Sequence, residues 1–168
     1  MTDDPNDAKA SFDTLYTRDD PRDYFSILGS LDYAIPDLAR PIFARAAAGF
    51  RNLHGRPANI VDLGSSYGIN AALFRFPISI DMLRRRYARR EMMALSSERI
   101  RQLDRAYFQS WPRVHEEKII AVDVSRPAVE YARSVGLVDE AIACDLEQGA
   151  PAHVADKLSQ TDMIISTG

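Results

Sequence analysis

The sequence predicts an α/β fold in three layers, with helices on both faces of a largely parallel sheet of strand order 3-2-1-4. Two observations lead there. Short apolar runs at 58–63, 118–124, 139–146 and 162–167 alternate with stretches of helical periodicity, a pattern of βαβ units rather than hairpins. Right-handed crossovers then set the first three strands in the order 3-2-1 and send the fourth to the other side of the first. That reversal opens a crevice at the C-terminal ends of strands one and four, where ligands bind in such sheets.

The elements follow in chain order. Residues 1–11, "MTDDPNDAKAS", offer almost nothing apolar and are expected to form a disordered tail. Residues 12–57 form a helical cap. Within it, 12–31 reads as one or two short helices broken near Pro21. "IPDLARPIFARAAAGFRNL" reads as an amphipathic helix with Leu38, Ile42 and Phe43 on one face. Pro36 suits its first turn, Pro41 is expected to kink or divide it, and His54-Gly55 ends it. The first strand, 58–63, leads into a helix over 67–76. Residues 77–117 are a helical insertion expected to hold two helices. Ser96 and Glu98 mark a helix start there, and Ile100, Leu103, Tyr107 and Trp111 recur at helical spacing. The second strand precedes a helix at 126–135 with Pro127 in its first turn. The third strand is followed by a short helix in "APAHVADKLSQ" and then the fourth strand. The N-terminal helices and the insertion are expected to cap the crevice.

Composition narrows the function classes. The 168 residues favour one domain, with a net charge of −3. That balance does not favour a nucleic-acid partner. A single cysteine, Cys144, excludes an intrachain disulfide and fits a reducing compartment. Three scattered histidines give no metal-ligand spacing. No apolar run reaches the roughly 18–20 residues of a membrane span, and the acidic N-terminus is unlike a targeting peptide. A cytoplasmic location is expected.

The chemistry concentrates in "NIVDLGSSYGINAALF" and two later strand ends. Asp62, Asp123 and Asp145 close three successive strands or follow them directly, so they are expected at one rim. The Gly64–Gly68 loop lets a ligand approach the backbone, beside the free N–H groups of the next helix. A dinucleotide loop of the G-x-G-x-x-G type would need glycine where Ser66 and Ile69 stand. A carboxylate two residues before the first glycine opposes a pyrophosphate but suits an ammonium group. The pattern favours an amino-acid-bearing nucleoside over NAD.

"VDLGSSYG", "IIAVDVSRPAVEYAR", "AIACDLEQG" and "DMIISTG" together resemble the first four motifs of class I S-adenosylmethionine-dependent methyltransferases, which are Rossmann-like. The resemblance covers 58–168. It implies that Asp62, Gly64, Ser65, Ser66 and Gly68 surround the methionine part of S-adenosyl-L-methionine, with Asp62 near the ammonium. It implies that Asp123 binds the ribose and that Val124 lies beside the adenine. Asp145 would meet the adenine amino group, the Leu146 backbone would lie against the ring, and Ser166 would reach the reacting methyl. Ser66 replaces the family's middle glycine. The interval from the first motif to Asp123 is about 40 residues longer than the roughly 20 of a simple unit, an excess that 77–117 accounts for. The family's sheet normally has seven strands, whereas four are found here, so the reading expects a truncated or split chain. Its fourth strand would need a partner chain or a C-terminal half to cover it.

The implied activity is methyl transfer to a small-molecule acceptor, with no catalytic residue and no metal identified. The alternatives are a non-catalytic remnant that binds the cofactor or, less favoured, a nucleotide-linked oxidoreductase. "RRRYARR" (84–90) reads as a solvated helix face balanced by Glu91, Glu98 and Asp104. Tyr16, Tyr24 and Phe25 read as core, with a lid over the site as the second reading. Cys144 reads as a buried strand residue, and His54, His115 and His153 as surface-loop residues.

Overall fold

The computed structural model describes residues 17–29 and 33–167; the expected tail and Tyr16 lie outside them. The sheet has four parallel strands, β1 (Asn59–Leu63), β2 (Lys118–Asp123), β3 (Glu140–Ala143) and β4 (Met163–Ile165). Their order is β3-β2-β1-β4, as the crossover argument requires. Among the described residues the helices are α1 (Arg22–Gly29), α2 (Ile35–His54), α3 (Ile69–Arg75), α4 (Ile80–Tyr87), α5 (Arg90–Met93), α6 (Ser97–Gln109), α7 (Arg126–Ser134) and α8 (Ala152–Leu158). The fold is Rossmann-like α/β.

Strand periodicity divides the core in two. Ile60, Ile119, Ala121 and Ile165 join the larger cluster, which includes Ala72 and Leu73 of α3 and Val129 and Ala132 of α7. Val61, Ile120, Val122 and Ile142 point the other way and pack with Val154 of α8. Buried residues on both faces are what parallel strands require.

Helix α2 is not divided at Pro41, one of the two outcomes expected there; the proline sits on an exposed side where water can take the carbonyl it leaves unpaired. The buried side of the helix is rotated away from the predicted one. Leu38 and Ile42 are 72% and 67% exposed, while Phe43, Ala44, Ala47 and Phe50 pack inward. Polar anchors along one stripe explain the rotation. Asp37 accepts from Ile80 N at 3.0 Å, Arg40 donates to Ile78 O at 2.8 Å, and Arg51 pairs with buried Glu117 at 2.5 Å. With Ala44 and Ala47 between them, these residues align at helical spacing, and the small side chains let α2 approach α3 closely.

The insertion folds as three helices rather than two, the extra one being the single turn α5. Ser96 caps α6 by accepting from Arg99 N at 3.3 Å. Ile100 is buried as expected and Phe108 joins it, whereas Trp111 falls beyond the helix end. The arginine run is not simply solvated. Arg85 pairs with Asp81 in solvent, but Arg86 turns inward to Asp104, donating at 3.0 and 2.9 Å. Asp104 is fully buried and also accepts from Tyr87 (3.0 Å) and Tyr131 (2.7 Å), which ties the insertion to α7.

Candidate functional site

The loop after β1 is built by carrying strand pairing one step further. Gly64 N and Ser65 N both donate to Val122 O, at 2.9 and 3.3 Å, and Gly68 N closes the turn onto Ser65 O at 2.8 Å. Three of its five residues take left-handed backbone: Gly64 (φ 64°), Ser66 (φ 47°) and Gly68 (φ 77°). Ser66 is the only non-glycine residue of this kind among those described. Its N–H explains the conformation, since it donates to Asp123 Oδ2 at 2.8 Å. The other oxygen of Asp123 accepts from Ser125 N at 2.8 Å, so this one carboxylate joins the two loops. Ser125 in turn caps α7, accepting from Ala128 N at 3.3 Å. Gly68 is required sterically, because a Cβ there would lie 2.9 Å from Ala132 Cβ on α7.

A cavity of about 810 Å³ opens over this loop. Gly64, Ser65, Ser66, Asp123, Val124 and Asp145 line it from the sheet side, with Ile69 and Asn70 of α3. Thr17, Tyr24, Tyr33 and Pro36 form its outer wall. Of the predicted rim residues Asp123 and Asp145 converge here and Asp62 does not, and three other expected site residues are placed differently. Leu146 lies in an adjoining groove of about 400 Å³ that shares Gly64, Asp123, Val124 and Asp145 with the cavity. The fourth strand reaches the cavity through Thr167 and not through Ser166, which is exposed. Gly68 lies beneath the loop as a packing residue. Asp145 starts the 3-10 turn Leu146–Gln148, accepting from Glu147 N at 3.0 Å.

Asp62 is fully buried and does not line the cavity. Its Oδ1 accepts from Asn70 Nδ2 at 2.9 Å, and its Oδ2 has no hydrogen-bond partner. Burial, with a smaller contribution from the Asp123 charge and against the Asn70 hydrogen bond, pushes its carboxyl up to about 7. Asn70 stands between this carboxyl and the cavity, and its Oδ1 accepts from Thr167 at 3.2 Å. Sequence reasoning missed Asn70. Its place as the second residue of the helix that follows the Asp62 strand would have pointed to it.

The serine hydroxyls are the other unusual feature. Ser65 and Ser66 are buried, line the cavity, and their Oγ atoms have no hydrogen-bond partner. With Asp62 Oδ2 they make three orphaned polar atoms within five residues. Such groups cost free energy unless a ligand or water meets them.

The expected division of labour over the crevice changes. No residue of 77–117 lines the cavity, so the insertion does not cap it directly; the N-terminal segment does. Tyr24 and Phe25 are both buried core, as the first reading of this cluster expects, and Tyr24 also lines the cavity. His115 is half-buried and stacks on Phe74 with ring centroids 4.2 Å apart, and burial lowers its pKa. His54 ends α2 and His153 lies in α8, both exposed. Cys144 is half-buried just past β3. The described residues contain no cluster of side chains that could hold a metal, and none of their helices is long and apolar enough to cross a membrane. No family model, curated protein or solved structure matches the chain.

Proposed function

We propose that this chain carries the cofactor-binding site of a class I S-adenosyl-L-methionine-dependent methyltransferase acting on a small-molecule acceptor. The observation that carries this reading is the set of orphaned polar atoms around the glycine loop. The Ser65 and Ser66 hydroxyls line the cavity and can donate to a carboxylate, and Asn70 Oδ1, on the cavity wall in front of the buried Asp62, can accept from an ammonium. An amino-acid head group offers both. Asp123, whose oxygens each accept one loop N–H, retains lone pairs for a ribose diol. Val124 and Asp145 would flank the adenine, with Leu146 in the adjoining groove. Thr167 replaces Ser166 as the fourth-strand residue facing the ligand.

When bound, S-adenosylmethionine supplies an electrophilic methyl group. The chain's own contribution is to hold and align reactants, which is the larger part of catalysis in such displacements. The outer wall of Tyr24, Tyr33 and Pro36 excludes water from that side of the cavity. Titration calorimetry with S-adenosylmethionine and S-adenosylhomocysteine tests the proposal. Saturable binding is expected, and folded protein that binds neither would overturn it. Tighter binding of NAD would favour a nucleotide-linked oxidoreductase instead.

A further inference from the structure

The outer wall of the cavity is held by the insertion, which itself stays outside. Segment 17–29 supplies Thr17 and Tyr24 to that wall. Arg22, at the start of α1, does not line the cavity and turns away from it. Its Nη1 donates to three carbonyls at the end of α5 and in the turn after it: Met92 O (2.9 Å), Met93 O (3.2 Å) and Leu95 O (2.8 Å). Its Nε and Nη2 donate to the two oxygens of buried Asp20, at 2.7 and 2.9 Å. Asp20 accepts in addition from Ser97 Oγ of α6 at 2.6 Å, and Arg101 of α6 donates to Asp19 O at 3.0 Å. The planar fork of arginine supplies donors to carbonyls at the end of a helix.

A closed circuit of aromatic rings runs from the same segment to the glycine loop. Tyr24 meets Phe25 edge-on at 5.2 Å, and Phe25 stacks on Tyr87 of α4 at 4.7 Å. The Tyr87 and Tyr131 hydroxyls lie 3.0 Å apart, both turned to Asp104. Tyr131 meets Tyr67 of the loop at 5.7 Å, and Tyr67 returns to Tyr24 at 5.9 Å. Tyr67 also donates from its hydroxyl to Arg18 O at 2.9 Å. The wall is therefore seated on the loop through rings and fastened to the insertion through Arg22.

We propose that Arg22 is a positioning residue that holds segment 17–29 against the cavity, so that the insertion at 77–117 governs how fast a ligand enters and leaves. Its identification as a gate for S-adenosylhomocysteine rests on the methyltransferase reading; its role in holding the wall does not. The test compares wild type with Arg22→Ala in two measurements. Amide hydrogen exchange on the ligand-free protein is expected to speed up at least tenfold at residues 22–29, with β1 and β2 unchanged. Stopped-flow binding of S-adenosylhomocysteine is expected to show association and dissociation both at least fivefold faster, with a smaller change in their ratio. Unchanged exchange in 22–29, or exchange that rises equally in β1 and β2, overturns the proposal. So do unchanged ligand rates in a variant whose wall has loosened. If Arg22→Ala does not fold, Arg22→Lys takes its place, since one ammonium cannot span three carbonyls and a bidentate carboxylate. It should speed exchange in 22–29 at least threefold, and no change would be equally fatal. Wild type that binds no S-adenosylhomocysteine would sink the methyltransferase reading, and the exchange data alone would then decide the role of Arg22.

Discussion

The glycine loop and the Asp104 cluster are both buried, polar and packed against α7, yet they treat their hydrogen-bonding groups in opposite ways. Asp104 has every oxygen engaged, by the Arg86 guanidinium and by the hydroxyls of Tyr87 and Tyr131. The loop leaves Asp62 Oδ2 and the Ser65 and Ser66 hydroxyls without partners while opening onto a cavity. A satisfied buried network holds elements together and has no capacity left for a ligand. An unsatisfied one beside a cavity keeps donors and acceptors that a ligand or water can meet.

Breaking the satisfied side should have the largest effect. Asp104→Ala strands the Arg86 charge and two hydroxyls, so urea unfolding should show a loss of about 3–5 kcal/mol. A loss below about 1 kcal/mol would mean that the cluster is not the structural tie described. Gly68→Ala attacks the seat of the loop, combining left-handed backbone with a clash at Ala132. It should lower stability by about 2–4 kcal/mol in the same assay. Asp123→Ala removes the carboxylate that joins the two loops and would meet the ribose. Calorimetry should show S-adenosylhomocysteine affinity falling by ~1.5–3 kcal/mol, and an unchanged affinity would remove Asp123 from the site.

The two regions that flank the cavity should also respond oppositely to pH. Asp62 has its folded pKa raised to about 7, so its contribution to stability is full below the unfolded value of about 3.9 and is lost as pH rises through about 7. Urea midpoints of wild type should therefore fall relative to Asp62→Asn over that range. Burial alone would raise Asp20, but hydrogen bonds from Arg22 and Ser97 outweigh it and hold the carboxyl below its ordinary value. Its contribution is present above about 3.9 and is lost as pH falls through the lower folded value. Asp20→Asn should flatten the acid side only. The smallest change is expected for Ser66→Gly, which relieves left-handed backbone but adds freedom to the unfolded chain. Stability should stay within about 1 kcal/mol, while ligand affinity falls if the hydroxyl makes its contact.

Much of the frame was legible from local pattern. Four apolar runs separated by helical stretches pointed to the strand order, because crossover handedness and the doubly wound pattern leave few arrangements. Asp123 and Asp145 were placed at one rim because parallel strands deliver their ends together, whereas Val124 came only from the resemblance to methyltransferase motifs. Other features depended on neighbours distant in sequence. Leu38 and Ile42 look like a buried face until Asp37, Arg40 and Arg51 find partners at Ile80, Ile78 and Glu117. Arg86 looks solvated until Asp104 is brought beneath it.

By itself, then, the sequence determined the α/β class, the parallel order and the position of the loop, since these follow from periodicity, turn residues and chain handedness. The tertiary structure alone decided that Asp62 is withdrawn behind Asn70, that Thr17 and Tyr24 wall the cavity, and that Arg22 joins their segment to the insertion. Those outcomes depend on which polar groups lose water together and which find a partner. That balance is settled only when segments tens of residues apart are packed against one another.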